Sequence, residues 1–152
     1  MMSIRRANKK DINEYLKLKK ESLKEYSKLI KEKIKFVKRY IIKEFNDAIS
    51  KKNEILLLIK EDNKTKGYLL GTLVITPYYK DAYIGDLFIY KNNRKKGYAT
   101  KLIKKFIDIC AKKSIKKYRL GINIKNKDAL GLYKKLGFKI IRYEMEKRKW
   151  KN

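Results

Sequence analysis

Two short stretches hold the residue types and spacings from which chemistry can be argued. In Arg94-Lys95-Lys96-Gly97-Tyr98-Ala99 an arginine and two lysines run into a glycine, and the apolar positions that follow, Leu102, Ile103, Phe106, Ile107 and Cys110, recur at helical spacing. A basic loop, a glycine and a helix start therefore coincide. The first turn of a helix exposes unpaired N–H groups and partial positive charge, and a residue without a side chain lets a phosphate approach them. The chemistry this points to is capture of a pyrophosphate by the N–H groups of Lys95, Lys96, Gly97, Tyr98, Ala99 and Thr100, with Arg94 and the lysines adding counter-charge. A lysine-rich surface turn ahead of a helix has the same local composition, so specificity has to come from a second stretch.

That stretch is Asn126 to Phe138, N-x-x-A-x-x-x-Y-x-x-x-G-F. Taken with the R-x-x-G-x-A of Arg94 to Ala99, in this order and separated by one helix and one strand, it resembles the GNAT superfamily of acetyl-coenzyme A-dependent N-acetyltransferases. The likeness is strongest over Tyr83 to Met145 and general before that. The resemblance implies a single α/β domain with a mixed, mostly antiparallel central sheet, splayed in the middle, and helices on both faces. It also implies acetyl-coenzyme A as acyl-donor co-substrate, no metal, and direct transfer of an acetyl group to a primary amine, either a small molecule or a protein α-amino group.

Residue roles follow from the same resemblance. Main-chain groups of Phe88 and Ile89 pair with the pantetheine arm like an added strand, and the N–H of Ile89 or its neighbour polarises the thioester oxygen. Asn126 contacts the arm, and Tyr133 faces the coenzyme sulfur and can give it a proton. On the residues alone, Tyr133 is also a core residue beside Leu130 and Leu136, and Asn126 is also a helix cap. Some members carry a glutamate base on the fourth strand; aligned on Leu87-Phe88-Ile89, Tyr83 stands there instead. Asp86 is the nearby carboxylate and the candidate base, with a water relay or no dedicated base as alternatives, because a bulge at Gly85 changes which face Asp86 takes.

The elements that must position these residues are legible in outline. Ser3 to Ala7 is a short strand, and Asp11 with Glu14 three residues on has the form of a capping box opening a helix. Apolar stripes through Tyr15, Leu16 and Leu23, then Ile34, Val37, Ile41, Phe45 and Ala48, predict two helices with a break near Ser27 to Glu32. Strands are predicted at Asn53 to Asp62, Tyr68 to Thr76 and Ala82 to Tyr90, the second stopped by Pro77, the only proline. A helix from Gly97 to about Lys113 follows. Tyr118, Leu120, Ile122 and Ile124 then alternate as a strand, Asn126 and Asp128 start a short helix that Gly137 ends, and Phe138 to Met145 forms a last strand before a solvated tail, Lys147 to Asn152.

Composition narrows the rest. At 152 residues with 43% hydrophobic content the chain is expected to form one domain over residues 1–152. No apolar run reaches the roughly 18 residues needed to cross a bilayer, and the charged start lacks a signal-peptide core, so a cytoplasmic protein without a membrane partner is expected. No histidine is present, which excludes Ser-His-Asp and Cys-His catalysis, and the single cysteine, Cys110, falls on an apolar helix face as a packed thiol. The net charge of +27 favours polyanions. It makes nucleic acid a possible partner, though not a sequence-specific one, and leaves a second reading: a non-catalytic acyl-coenzyme A-binding or basic nucleic-acid-binding module. Residues 9–52 hold fifteen Lys and Arg against seven Asp and Glu. Polyamines and strongly basic peptides are therefore poor acceptors unless Glu21, Glu25, Glu44 or Asp47 gather locally. The oligomeric state is open between monomer and homodimer.

Overall fold

The computed structural model describes residues 1–149. Five strands pair in chain order: β1 (Met2–Arg6), β2 (Glu54–Glu61), β3 (Lys64–Ile75), β4 (Lys80–Ile89) and β5 (Lys117–Leu120). Helices α1 (Ile12–Ile30) and α2 (Lys38–Ser50) separate β1 from β2, α3 (Tyr98–Ala111) separates β4 from β5, and α4 (Lys127–Lys135) follows β5. The first four strands are antiparallel and β5 runs parallel to β4. The mixed, mostly antiparallel sheet expected from the sequence is thus present.

Strand β2 explains the layering. Its buried run Ile55 to Ile59 has no polar alternation, as expected of a strand covered on both faces. Ile55, Leu57 and Ile59 pack with Leu102, Ile103, Phe106 and Cys110 of α3, while Leu56 and Leu58 pack with Tyr15 and Leu18 of α1 and Ile41, Phe45 and Ala48 of α2. Helix α3 sits close: a Cβ on Gly71 would lie 2.3 Å from the Phe106 ring, so this glycine sets the distance between helix and sheet. Cys110 is buried, and burial pushes its thiol up to about 11, as befits a packed rather than reactive group.

Strand β4 is where the sheet parts. Its register with β3 shifts between Leu70 and Gly71, where Leu70 faces Asp86 and Gly71 faces Ile84, so Gly85 is the extra residue of a bulge. On its other edge β4 pairs with β5 only from Asp81 to Ile84. The buried Asp81 carboxylate, 3.1 Å from the Arg119 guanidinium, ties those two strands together at this end. From Gly85 to Ile89 the β5 side of β4 has no strand partner among the described residues.

Several boundaries differ from the sequence expectation. Helix α1 runs on to Ile30 and ends on Lys31 in a left-handed conformation, φ 57°, so the break lies at residues 31–37 and takes in Ile34 and Val37. Asp11 does not cap α1 through its side chain; it accepts from both terminal nitrogens of Arg5 and from the Asn8 amide, inside a one-turn 3-10 helix (Lys9–Asp11) that Asn8 caps. The β5 ladder stops at Leu120 rather than Ile124, and no strand forms over Phe138 to Met145. A strand needs a neighbour to bond with, and β5 is too short to offer one there; Ile140, Ile141, Tyr143 and Met145 are left exposed. In the tail, Lys147, Arg148 and Lys149 are exposed and residues 150–152 lie outside the described part.

Candidate functional site

The gap beside β4 presents main-chain groups, and the register says whose. Tyr90 donates its amide to the Lys66 carbonyl across the β3–β4 pair at 2.9 Å. Antiparallel pairing alternates bonded and non-bonded positions, so Phe88, two residues back, also turns its N–H and C=O toward β3. Leu87 and Ile89 turn theirs into the gap. Phe88 was expected to pair through its backbone; its ring instead joins an aromatic chain from Phe45 through Tyr15 and Tyr68 to Tyr90. Leu87 is the gap-facing residue that the sequence reading did not single out, and the signal that locates it is the bulge at Gly85, which resets the count along the strand.

At the open end of that gap the chain turns through Lys91–Asn93 into α3. Gly97 is the N-cap with φ 85°, and a Cβ built on it would meet nothing within 4 Å, so the space in front of the turn is open. The first helical bond runs from the Lys101 amide to the Gly97 carbonyl at 3.1 Å. The N–H groups of Tyr98, Ala99 and Thr100 therefore precede the hydrogen-bonded ladder and form, with those of Lys95, Lys96 and Gly97, the run expected for a phosphate. The Tyr98 side chain is not part of it: the ring is buried and its hydroxyl donates to Glu61. Arg94 is also placed differently from the expectation. Its Nε donates to the Ile89 carbonyl at 2.9 Å and its two terminal nitrogens grip Glu25 of α1 at 2.8 and 2.6 Å, with the guanidinium 5.4 Å from the Phe88 ring centre. Arg94 thus fastens the loop to α1, and the loop counter-charge rests on the exposed Lys95 and Lys96.

Helix α4 holds the other half of the motif. Asn126 is its N-cap, accepting the Ala129 amide on Oδ1 at 3.2 Å, so the cap reading of Asn126 holds. At the C-terminus Gly137 is left-handed at φ 91°, Phe138 donates its amide to the Tyr133 carbonyl at 3.0 Å and Gly137 donates to Lys134 at 3.1 Å. Those two bonds make a Schellman motif, whose usual apolar contact is here the Tyr133 and Phe138 rings, centroids 5.8 Å apart. The Y-x-x-x-G-F spacing is therefore a helix stop that also fixes a tyrosine. Burial pushes the Tyr133 phenol up to about 12, with the negative charge of Asp86 adding to it.

Asp86 belongs to a partly buried polar network between the sheet and the first two helices. Its Oδ2 accepts from Lys19 Nζ at 2.7 Å and from the Tyr68 hydroxyl at 2.5 Å. Lys19 also reaches Glu44 at 3.3 Å, and Glu44 accepts the Tyr15 hydroxyl at 2.5 Å. Burial pulls the Lys19 ammonium down, but Asp86 and Glu44 together reverse that and leave it raised. Burial and the adjoining carboxylates likewise hold the Tyr15 and Tyr68 phenols well above their usual range. Beside this network lies a cleft of about 420 Å³, lined by α1, α2 and the Thr72, Gly85 and Asp86 stretch of the sheet. Glu44 and Asp47 do gather here, joined by Glu54 and Asp86. Asp86 thus borders both the cleft and the surroundings of Tyr133.

Comparison with known proteins agrees with this fold. A mutant of the BH1408 protein from Bacillus halodurans superposes with a TM-score of 0.86 at 20% identity, covering 97% of this chain and 99% of that one. A predicted acetyltransferase from Clostridium acetobutylicum, solved with acetyl-CoA, superposes with a TM-score of 0.80 at 21% identity over 97% of this chain and 96% of its own. Both are likenesses of fold. In sequence, the chain is 28% identical over 116 residues to the N-acetyltransferase 9-like protein of Schizosaccharomyces pombe, over 70% of this chain and 49% of that protein. The chain spans about half or less of the length of the curated relatives it matches. Residues 17–138, including the β4 gap, the Gly97 turn and Tyr133, match the Acetyltransferase (GNAT) family, and the chain belongs to that family.

Proposed function

We propose that the chain is an acetyl-coenzyme A-dependent N-acetyltransferase that moves the acetyl group directly to a primary amine, with residues 1–152 acting as one domain. The observation that carries this is the parting of β4 from β5 after Ile84, which leaves the main-chain groups of Leu87 and the N–H of Ile89 without a backbone partner among the described residues and leads straight to the N–H run before Lys101. A strand edge and a helix N-terminus in series suit a ligand with an amide-bearing arm and a diphosphate. When bound, acetyl-coenzyme A supplies the activated thioester. Lys95 to Thr100 hold its phosphates, Ile89 and Leu87 align its arm, and the Leu87 N–H, farther along β4 from the phosphates and next to Asp86, is the donor for the thioester oxygen. That a protein of this fold from Clostridium acetobutylicum was solved with acetyl-CoA supports the choice of ligand.

The transfer forms one C–N bond and breaks one C–S bond, so the amine gives up a proton and the sulfur gains one. Tyr133, kept protonated by its raised pKa, is the donor to the sulfur. Asp86 meets the amine: its Oδ2 is engaged by Lys19 and Tyr68, while Oδ1 has no described partner and is the acceptor for an N–H. The amine proton leaves by Asp86 or by water in the open cleft, and Tyr133 is reprotonated from solvent.

Calorimetry with acetyl-coenzyme A and a thiol-release assay against primary amines test this reading. Saturable cofactor binding with amine-dependent thiol release is the expected result. Duplex DNA binding that weakens steeply with salt, with no affinity for acetyl-coenzyme A, would overturn it in favour of a nucleic-acid-binding module.

A further inference from the structure

The cleft beside Asp86 has a charge balance unlike the rest of the molecule. Four carboxylates line it, Glu44, Asp47, Glu54 and Asp86, against the three lysines Lys19, Lys43 and Lys51. That leaves one net negative charge in a chain of net +27. Three of the four carboxylates already have cations: Lys19 bridges Glu44 and Asp86, and Lys51 lies 3.4 Å from Asp47. Glu54 does not. Among the described residues its partner is the Thr72 hydroxyl, 3.2 Å from each carboxylate oxygen. With cations in such excess, a carboxylate without one in a cavity is informative.

Position adds to charge. Glu54 stands opposite Thr72 on β3, and Asp86 stands opposite Leu70. Two strand spacings across and two residues along put their Cα atoms roughly 12 Å apart on the face under α1 and α2. With both side chains standing off the sheet, a hydrogen bond of about 3 Å at each end leaves roughly 6 Å between two nitrogens held one at each carboxylate. The cleft volume of about 420 Å³ suits a small molecule rather than a folded surface, and the exposed Lys43 and Lys51 at the rim oppose a long polycation.

Resting on the acetyl-transfer reading above, we propose that the acceptor is a small primary amine with a second cationic group a short alkyl chain away, the reacting nitrogen at Asp86 and the second ammonium at Glu54. A plain diamine and a diamino acid share this chemistry; the latter adds a carboxylate, for which Lys43 on the cleft lining offers a counter-charge.

The test is steady-state thiol release with acetyl-coenzyme A and three probes of one chain length: pentylamine, 1,5-diaminopentane and lysine. The diamine, lysine or both should exceed pentylamine at least tenfold in kcat/KM, and Glu54→Gln should collapse that preference mainly through KM. Glu54→Asp, which keeps the charge, should retain part of it. Lysine ahead of diaminopentane identifies a diamino acid, and the reverse a plain diamine. Pentylamine turned over as well as the others, or a preference that survives in Glu54→Gln, overturns the proposal while leaving acetyl transfer to amines standing. Absence of acetyl-coenzyme A binding by calorimetry would instead remove the underlying reading, and this one with it.

Discussion

The Phe138 amide donates to the Tyr133 carbonyl at 3.0 Å, and the same two residues stack their rings edge to face. The stop of α4 and the placement of the proposed proton donor are therefore one device, and it depends on Gly137 at φ 91°. Gly137→Val puts a β-branched side chain in a left-handed conformation that costs about 1–2 kcal/mol. Thermal unfolding should shift down by several degrees, and kcat should fall while acetyl-coenzyme A affinity stays within about twofold. An unchanged kcat would show that Tyr133 is held by something other than this turn.

Tyr133→Phe removes the hydroxyl and keeps the ring that packs on Phe138. The turnover number should drop by about a hundredfold, the lower range for a lost general acid, with the dissociation constant of acetyl-coenzyme A unchanged. The pH profile provides an independent check. A phenol raised to about 12 stays protonated, and so competent as a donor, through pH 10. The wild-type rate should therefore show no descending limb from this group until pH approaches 12. The same shift contributes stability fully present below pH 10 and lost as pH rises from 10 through 12. Denaturant unfolding of wild type and Tyr133→Phe at pH 9 and 11 reads that difference.

Gly97 combines a left-handed backbone with open space in front of it. A bulky residue fills the space a phosphate would use and strains the turn at the same time. Gly97→Val should raise the acetyl-coenzyme A dissociation constant tenfold or more, whereas a Gly131→Ala control, at an exposed helical glycine that also meets nothing within 4 Å, should leave it unchanged. Retained affinity in Gly97→Val would exclude close approach of a phosphate to this turn.

Much of this was legible in the sequence because the signals are local. The Gly97 helix start, the Y-x-x-x-G-F stop, the strand stop at Pro77 and the bulge at Gly85 are each dictated by residues within a few positions. The differences arise where distant residues decide. Lys31 ends α1 in a left-handed conformation with no glycine to announce it. Arg94 is drawn to Glu25, 69 positions away, and Asp86 to Lys19, 67 positions away. Helical spacing shows that Lys19 and Glu44 are polar residues near apolar stripes; only packing of α1 and α2 on one face of the sheet brings them to Asp86. The Phe138 to Met145 stretch shows the converse, a run with strand character that lacks the neighbour a strand requires.

Lys19 is the residue on which the carboxylate side of the site depends. Its ammonium is largely enclosed and bridges Asp86 and Glu44, while Tyr68 and Tyr15 each donate to one of those carboxylates. Lys19→Met keeps the aliphatic stem and removes the charge, leaving two partly buried carboxylates near each other without a cation. Breaking a fully buried pair costs about 3–5 kcal/mol, and the partial exposure of Asp86 and Glu44 brings the expectation to about 2 kcal/mol at pH 7. The sign with pH follows from the ammonium, which burial lowers but Asp86 and Glu44 hold above its ordinary value: its contribution is fully present at pH 7 and is lost as pH rises beyond the usual lysine range, so the gap between wild type and variant should narrow from pH 7 to pH 11. Adding Asp86→Asn to Lys19→Met should recover part of the lost stability, because a neutral amide no longer needs the ammonium. Urea unfolding of wild type, both single variants and the double variant at the two pH values measures the coupling. A pH-independent loss with additive single effects would reduce Lys19 to a packing residue.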